Sequence, residues 1–180
     1  PWGDKLLAES AVKFYAVFDW RPMLSEMRLI KSPNEIRLMQ QAGQITAFGH
    51  IKAMQVTRPN RFEYEIESEI LYEFNRHGAR FPSYNSIIAG GDNACILHYT
   101  ENDQPLKDGD LVLIDAGCEF AMYAGDITRT FPVNGKFTQP QREIYELVLK
   151  AQKRAIELLV PGNSIKLAND EVIRIKTQGL

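Results

Sequence analysis

The sequence has few of the residues that define several large classes of protein. Only two of its 180 residues are cysteine, Cys95 and Cys118, and they form no C-x-x-C pair. This spacing is not that of a cysteine-based zinc site, and it suits a reducing compartment better than a disulfide framework. We expect both thiols to be small buried side chains.

Net charge and long hydrophobic runs are lacking as well. The 21 lysines and arginines nearly balance the 23 aspartates and glutamates, so no general basic field would gather nucleic acid or an anionic membrane surface. No apolar run approaches the roughly 20 residues of a membrane span, and no signal peptide is visible. The sequence therefore predicts a cytoplasmic protein with no nucleic-acid partner and no membrane partner.

The two ends of the sequence do not look like domain boundaries. It begins with Pro1 rather than Met and stops at Leu180, directly after a helical pattern. Residues 1–28 mix short apolar runs, such as Val12–Phe18, with polar residues and show no sustained period. We interpret these residues as a tail or linker, and we expect the chain to be a fragment of a longer protein.

The rest of the sequence contains clear helix patterns. Ser32-Pro33-Asn34-Glu35 predicts a helix start, because the serine cap and the glutamate satisfy free backbone N–H groups reciprocally. This helix should end at Arg58-Pro59-Asn60 and bury one apolar stripe, which consists of Ile36, Met39, Gly43, Ala47, Ile51 and Met54. A second helix fits Phe62–His77, with Gly78 as a left-handed cap.

After Gly78 the pattern changes to that of strands and then returns to helix. Four short segments rich in β-branched and aromatic residues predict strands at 84–89, 95–99, 111–120 and 122–132. Thr138 and Gln141 indicate a capped helix that ends at Pro161-Gly162, and Ser164 can cap a final helix. The predicted fold class is α+β, with helices packed on an antiparallel sheet.

Two aspartates stand inside the apolar strand patterns. Asp115 follows Leu111–Ile114, and the second is Asp126. A buried ionised carboxylate needs a proton, a base, hydrogen bonds or a metal ion. If the strands form a hairpin that turns between Phe120 and Ala121, the aspartates lie directly opposite each other on one face. Such a pair favours a hard divalent cation such as Mn²⁺ or Mg²⁺ between the carboxylates.

The same residues also have a structural interpretation. Asp115 could cap a turn or pair with Arg129, and Asp126 could hydrogen-bond to a strand end. His98, in an apolar pattern, could be a satisfied structural histidine, and Tyr84 could be an aromatic core residue. An aspartate pair eleven residues apart is a weak motif by itself, so the spacing alone leaves both interpretations open.

Four longer segments resemble bacterial Xaa-Pro aminopeptidases, the aminopeptidase P family. They are Glu26–Glu35, Glu73–Arg80, Cys95–Asn102 and Asp108–Glu143. The resemblance implies the pita-bread fold shared with methionine aminopeptidase, prolidase and creatinase. Residues 26–180 would be the first half of that catalytic domain, and residues 1–25 the tail of an N-terminal domain and a linker. The resemblance also implies two carboxylate-bridged metal ions, usually Mn²⁺, that activate a water, and peptide substrates with proline at the second position.

The resemblance assigns roles to individual residues. Asp115 matches the family's first metal aspartate, which chelates one ion, and Asp126 matches the second, which bridges both. His98 matches the histidine that contacts the substrate near the scissile bond, where an imidazole can donate to the developing oxyanion. Tyr84 lies in a segment that often lines the substrate pocket. Thr128, on the face of Asp126, could hydrogen-bond that carboxylate.

The family's other three metal ligands, a histidine and two glutamates, are expected later in the chain. No histidine follows Arg129 here, and two carboxylates cannot supply the roughly six ligands of a hard divalent ion. We therefore expect the complete protein to be the enzyme, a homo-oligomer, and the sequence as given to be inactive. Two alternatives stay open: a prolidase restricted to dipeptides, and a non-catalytic pita-bread protein that serves as a binding module.

Overall fold

Five α-helices and two small antiparallel sheets form residues 19–179, the part of the chain that this computed structural model describes. The α+β class predicted from the sequence is confirmed. The apolar run at 12–18 lies outside the described residues. None of the helices in residues 19–179 is both long and apolar enough to pass through a membrane.

The first helix, α1 (Arg21–Leu29), occupies residues that the sequence predicted to be a tail or linker. The sequence showed no helical period here, so this helix was missed, while the role of these residues as a tail or linker stays a prediction. Pro22 stands in the first turn, where a missing N–H is tolerated, and no residue of the helix is buried against the rest of the described chain. A helix of nine residues offers too short a periodic pattern to stand out from a linker.

The second helix, α2 (Pro33–Val56), starts at the predicted capping box between Ser32 and Glu35. Its predicted buried stripe is wrong, because these members are 40–50% exposed: Ile36, Met39, Ile51 and Met54. The buried face instead consists of Ala42, Ile45, Thr46, Gly49, His50 and Ala53. At Gly49 no side chain fits on this face, because a Cβ there would lie 2.7 Å from the ring of Phe74 in α3.

The third helix, α3 (Glu63–Arg76), agrees with the prediction. Ile66, Ile70 and Phe74 are fully buried, and Gly78 has the expected left-handed backbone with φ of +89°. Helices α2 and α3 pack side by side and cover one face of the larger sheet.

Six short strands make up the two sheets: β1 (Phe81–Pro82), β2 (Ile87–Gly90), β3 (Leu111–Ala116), β4 (Cys118–Phe120), β5 (Tyr123–Ala124) and β6 (Ile127–Pro132). The larger sheet has the order β2-β3-β6 and the smaller β1-β4-β5. Along β3, Val112, Ile114 and Ala116 face the helices and are buried. Asp115 therefore points to the opposite face of the sheet.

The chain from β3 to β6 turns back on itself as predicted, but the register differs from the prediction. Phe120 pairs with Tyr123, so the turn consists of Ala121 and Met122. Both have positive φ, 51° and 71°, as a two-residue type I′ turn requires. The predicted turn between Phe120 and Ala121 is wrong, because no Asn-Gly or Gly-Gly pair marks its position in the sequence.

The predicted strand at 95–99 is also wrong. Gly91–Cys95 forms a short 3₁₀ helix, and a turn follows in which His98 has φ of +56°. Tyr99 packs on the outer face of the larger sheet, while Leu97 is 86% exposed, so the apolar run here does not form one buried face. Cys95 is exposed, contrary to expectation, whereas Cys118 is buried; both thiols are free.

The last two helices, α4 (Gln139–Leu158) and α5 (Ile165–Gly179), form a helical hairpin. The predicted caps are present, since Thr138 accepts a hydrogen bond from the Gln141 N–H and Ser164 one from the Leu167 N–H. Between the helices these residues are buried: Ala151, Ala168 and Ile175.

Candidate metal centre

The two candidate metal aspartates lie on the face of the larger sheet that points away from α2 and α3. Asp115, in β3, is half-buried, and Asp126, just before β6, is exposed. Asp115 pairs across the sheet with Thr128, so the expectation that the aspartates are directly opposite is wrong by two residues. Because residues two apart on a strand share a face, Asp126 lies diagonally across from Asp115 on the same side.

The hydroxyl of Tyr84 lies between the two carboxylates. Its oxygen is 2.6 Å from Asp115 Oδ1 and 3.1 Å from Asp126 Oδ1. A phenol has one proton, so the hydroxyl donates to one carboxylate at a time. Burial first, and then the hydrogen bond to Asp115 and the negative charge of both carboxylates, raise the pKa of Tyr84. The hydroxyl therefore keeps its proton at neutral pH.

The structural interpretation of the aspartates would require other contacts. The Arg129 guanidinium donates to the carbonyl oxygen of Thr128 at 2.8 Å, and in the described part of the chain it forms no ion pair with Asp115. The hydrogen bond suggested from Thr128 to Asp126 is likewise not formed within residues 19–179. Tyr84 is the side chain whose hydroxyl contacts both carboxylates.

His98 and the aspartates face one cleft. The cleft has a volume of about 390 Å³ and is lined by Tyr84, Asn85, Ile87, His98, Thr100, Asp115 and Asp126. The structure thus brings Tyr84, His98, Asp115 and Asp126 together in one cleft, while Thr128, which the sequence also suggested, does not line it. Asn85 and Thr100 were missed, and their only sequence signal was a position next to Tyr84 or two residues after His98.

Close backbone packing fixes the chain between the two aspartates. A Cβ at Gly117 would lie 1.8 Å from the carbonyl oxygen of Gly125, so no side chain fits there. The Gly125 N–H also donates to the Cys118 carbonyl at 2.8 Å. The strands that carry Asp115 and Asp126 therefore meet without intervening side chains.

Helix α2 holds this chain from the opposite side. The Thr46 hydroxyl accepts a hydrogen bond from the Cys118 N–H at 3.1 Å. His50 is buried, and its Nε2 lies 3.2 Å from the carbonyl oxygen of Ala116. Burial lowers the pKa of His50, so the neutral ring donates from Nε2 to this carbonyl. The polar residues on the buried face of α2 thus position the backbone that follows Asp115.

The donor set suits a hard divalent cation but supplies only part of a site. Carboxylate oxygens are ligands that Mn²⁺ and Mg²⁺ prefer. In residues 19–179, no group of three or more His, Cys, Asp or Glu side chains is arranged to hold a metal ion. A hard ion between Asp115 and Asp126 would need further ligands to complete a shell of about six.

Comparisons with known proteins agree on one enzyme family. A sequence model of metallopeptidase family M24 matches residues 37–180. A curated Xaa-Pro aminopeptidase of Haemophilus influenzae is 89% identical over 179 residues, which cover 99% of this chain and 42% of that protein. Among solved structures, zinc-substituted aminopeptidase P of E. coli in complex with product has a TM-score of 0.89 at 61% identity, covering 91% of this chain and 37% of that one. The same values hold for aminopeptidase P of E. coli with the inhibitor Pro-Leu. The chain thus spans about two-fifths of the length of these relatives.

Proposed function

The chain belongs to metallopeptidase family M24, and from this premise we propose that the complete protein is an Xaa-Pro aminopeptidase. Such an enzyme releases the N-terminal residue from peptides with proline at the second position. The observation that carries the proposal is the cleft in which Tyr84 contacts both Asp115 and Asp126 and which His98 also lines. The 89% identity to an Xaa-Pro aminopeptidase supports it. The proposal concerns the complete protein, because the chain spans 42% of that relative.

In this proposal, Asp115 and Asp126 are ligands of a dinuclear metal centre that would hold two Mn²⁺ ions in the complete protein. Two carboxylates that share a small space repel each other, and a cation between them removes that repulsion. When bound, the metal supplies an activated water and polarises the carbonyl of the first peptide bond. The remaining ligands, a histidine and two glutamates, would come from residues beyond this sequence. The zinc-substituted relative supports a site that accepts divalent ions.

The other two cleft residues act on the substrate and on the ligands. His98 is exposed to the cleft, where its imidazole would donate a hydrogen bond to the substrate oxygen as negative charge develops on it. Tyr84 would line the substrate pocket and, through its hydroxyl, orient the Asp115 carboxylate.

The wider organisation follows the same proposal. Residues 26–180 would form the first half of the pita-bread catalytic domain, and residues 1–25 the end of a preceding domain and a linker. The α+β fold of the described residues corresponds to part of the aminopeptidase P structures described above. The complete protein would form homo-oligomers through its N-terminal domain. A cytoplasmic location stays a prediction from the sequence.

Hydrolysis of the peptide Ala-Pro-Ala by the complete protein tests this function. After chelation of bound metal we expect no release of alanine, and Mn²⁺ should restore it. Ala-Ala-Ala is the matched peptide and should stay intact. Asp115→Asn should lose the Mn²⁺-dependent activity while its circular dichroism spectrum stays that of the wild type.

Other outcomes of this experiment would point to a different function. Cleavage of the dipeptide Ala-Pro without cleavage of the tripeptide Ala-Pro-Ala would indicate a prolidase. Peptide binding without cleavage by the Mn²⁺-loaded protein would indicate a non-catalytic binding module. Cleavage of Ala-Pro-Ala that persists after complete removal of metal would contradict the proposed chemistry.

A further inference from the structure

Glu63 is a fully buried carboxylate that the proposed reaction does not use. It is the first residue of α3, and its exposure is 0%. Its Oε1 accepts hydrogen bonds from the Gly90 N–H at 2.8 Å and the Asn93 amide at 3.1 Å. Its Oε2 accepts from the Tyr99 hydroxyl at 2.7 Å and the Gln104 N–H at 3.0 Å. Four donors thus compensate for the loss of water around this carboxylate.

All four donors belong to one segment, residues 90–104, which crosses the outer face of the larger sheet. The same segment carries His98 and Thr100 to the cleft. Tyr99 lies between them, is 5% exposed and packs against that face of the sheet. Because Tyr99 is the direct neighbour of His98, its hydrogen bond to Glu63 fixes the backbone from which the imidazole projects.

The backbone of His98 needs support from its surroundings. Its φ of +56° lies in the left-handed region, which is unfavourable for a residue other than glycine. The side chain is exposed, so packing of the ring does not maintain this conformation. The contacts on either side of His98 must therefore hold the turn in place.

A second anchor lies further along the segment, at Asn102. This residue is 3% exposed, and its side-chain oxygen accepts a hydrogen bond from the Ile88 N–H at 2.9 Å. Its amide donates to the Ser86 carbonyl at 2.9 Å and to Glu67 Oε2 at 3.1 Å. Glu67 lies one turn after Glu63 on α3, so one helix reaches the segment at both anchors.

We propose that Glu63 is a positioning residue for His98. The Glu63 carboxylate holds segment 90–104 together as one unit and thereby sets the position of the His98 imidazole in the cleft. This inference rests on the proposed function, in which His98 contacts the substrate. Stability alone would not require a carboxylate here, because apolar residues of similar volume are often equally or more stabilising than buried ionic groups. Hydrogen bonds to four different residues, by contrast, define the position of the whole segment.

Kinetics of the complete protein test whether Glu63 acts through His98. Glu63→Gln keeps the size of the side chain but places an amide N–H₂ among four donors, so the segment must shift. We expect kcat/KM for Ala-Pro-Ala to fall about tenfold or more, with the content of bound Mn²⁺ unchanged. In the His98→Ala background the same substitution should change kcat/KM by less than about twofold. Glu65→Gln is the matched control, because Glu65 lies in the same helical turn but contacts other groups. It accepts from the Phe62 N–H and pairs with Arg61 at 3.6 Å, and among the described residues it forms no hydrogen bond with segment 90–104.

Amide hydrogen exchange reports how firmly the segment is held, independently of catalysis. The amides of Gly90 and Gln104, which donate directly to Glu63, should exchange faster in Glu63→Gln and at the wild-type rate in Glu65→Gln. Tyr99→Phe removes one donor and keeps the buried ring, so it serves as a milder variant if Glu63→Gln does not fold. Its loss of kcat/KM should be smaller and should also depend on His98.

The possible results separate this inference from the proposed function. A wild-type protein that does not cleave Ala-Pro-Ala would overturn the function, and the inference with it. An active wild type whose Glu63→Gln variant keeps its kcat/KM would overturn the inference alone. So would equal losses in the presence and absence of His98, since they would indicate a purely structural role.

Discussion

At the scale of single residues, the backbone packs closely at Gly117, between the two candidate metal aspartates. A Cβ at Gly117 would come within 1.8 Å of the Gly125 carbonyl oxygen, whereas a Cβ at Gly43, in α2, would meet nothing within 4 Å. We expect Gly117→Ala to destabilise the complete protein by about 3 kcal/mol. Gly43→Ala, the matched control, should stabilise it by about 0.5–1 kcal/mol, because alanine loses less backbone entropy in a helix. Urea unfolding measures both, and similar effects of the two substitutions would contradict the packing described.

Tyr84 provides the second prediction at this scale. Tyr84→Phe keeps the ring and removes the hydroxyl that lies 2.6 Å from Asp115. If Asp115 is a metal ligand, loss of this hydrogen bond should weaken Mn²⁺ binding about 10- to 100-fold. Calorimetric titration of the metal-free complete protein measures the affinity. Tyr123→Phe is the control, because it removes a hydrogen bond to Glu35 away from the cleft and should keep the wild-type affinity for Mn²⁺. If both variants bind Mn²⁺ equally well, Tyr84 does not orient Asp115.

Four residues of the candidate cleft could be predicted from the sequence, but Asn85, Thr100 and the contacts within the cleft could not. Asp115 and Asp126 stood out because a carboxylate in an apolar strand pattern requires a partner. His98 was identified because the segment around it resembles a known family. The strand predicted at 95–99 was wrong, because the positive φ of His98 cannot be read from the sequence. Glu63 gave no signal, because an acidic residue in a first helical turn is common and its donors lie 27 to 41 residues later.

At the scale of elements, the turn between β4 and β5 combines a type I′ conformation with residues that disfavour it. Ala121 and Met122 have φ of 51° and 71°, and a left-handed backbone costs a residue other than glycine about 1 kcal/mol. Met122 is 89% exposed, so its side chain contributes little packing. Met122→Gly should raise the free energy of unfolding by about 0.5–1 kcal/mol. Met122→Ala keeps the unfavourable φ and should be neutral in the same urea titration; an equal gain in both variants would assign the effect to the side chain.

The elements differ in how far the sequence predicts them. The capping boxes at Ser32 and Thr138 both form, because each depends on residues only three positions apart. The predicted buried face of α2 was wrong, because it left out the polar residues Thr46 and His50. These side chains can be buried because they form hydrogen bonds with strands far away in the sequence, which a helical pattern does not reveal. The hairpin register was wrong because the Ala121-Met122 turn carries no glycine or asparagine to mark it.

At the scale of the whole molecule, the two faces of the larger sheet are covered differently. Helices α2 and α3 bury one face, while segment 90–104 covers part of the other and leaves the cleft open. The hairpin of α4 and α5 keeps many apolar side chains at least 45% exposed, namely Ile144, Val148, Ile156, Leu159, Val160, Ile165, Leu167 and Ile173. Exposed apolar surface of this kind is typical of an interface. We interpret it as the contact with the remainder of the proposed catalytic domain.

The last prediction concerns the chain of residues 1–180 produced by itself. Two carboxylates supply at most about four of the roughly six oxygen ligands of a hard divalent ion, so this chain should bind Mn²⁺ more than about 100-fold more weakly than the complete protein. It should also release no alanine from Ala-Pro-Ala. Calorimetry and the peptide assay measure the two properties, with circular dichroism to verify that the chain is folded.

The control for this prediction is Asp126→Asn in the same chain. If the weak binding uses the proposed ligands, this substitution should abolish what remains of it, because a single carboxylate then faces the ion. Binding as tight as that of the complete protein, or cleavage by the chain alone, would mean that residues 1–180 contain a complete site. The assignment of a histidine and two glutamates in a later part of the protein as further metal ligands would then be wrong.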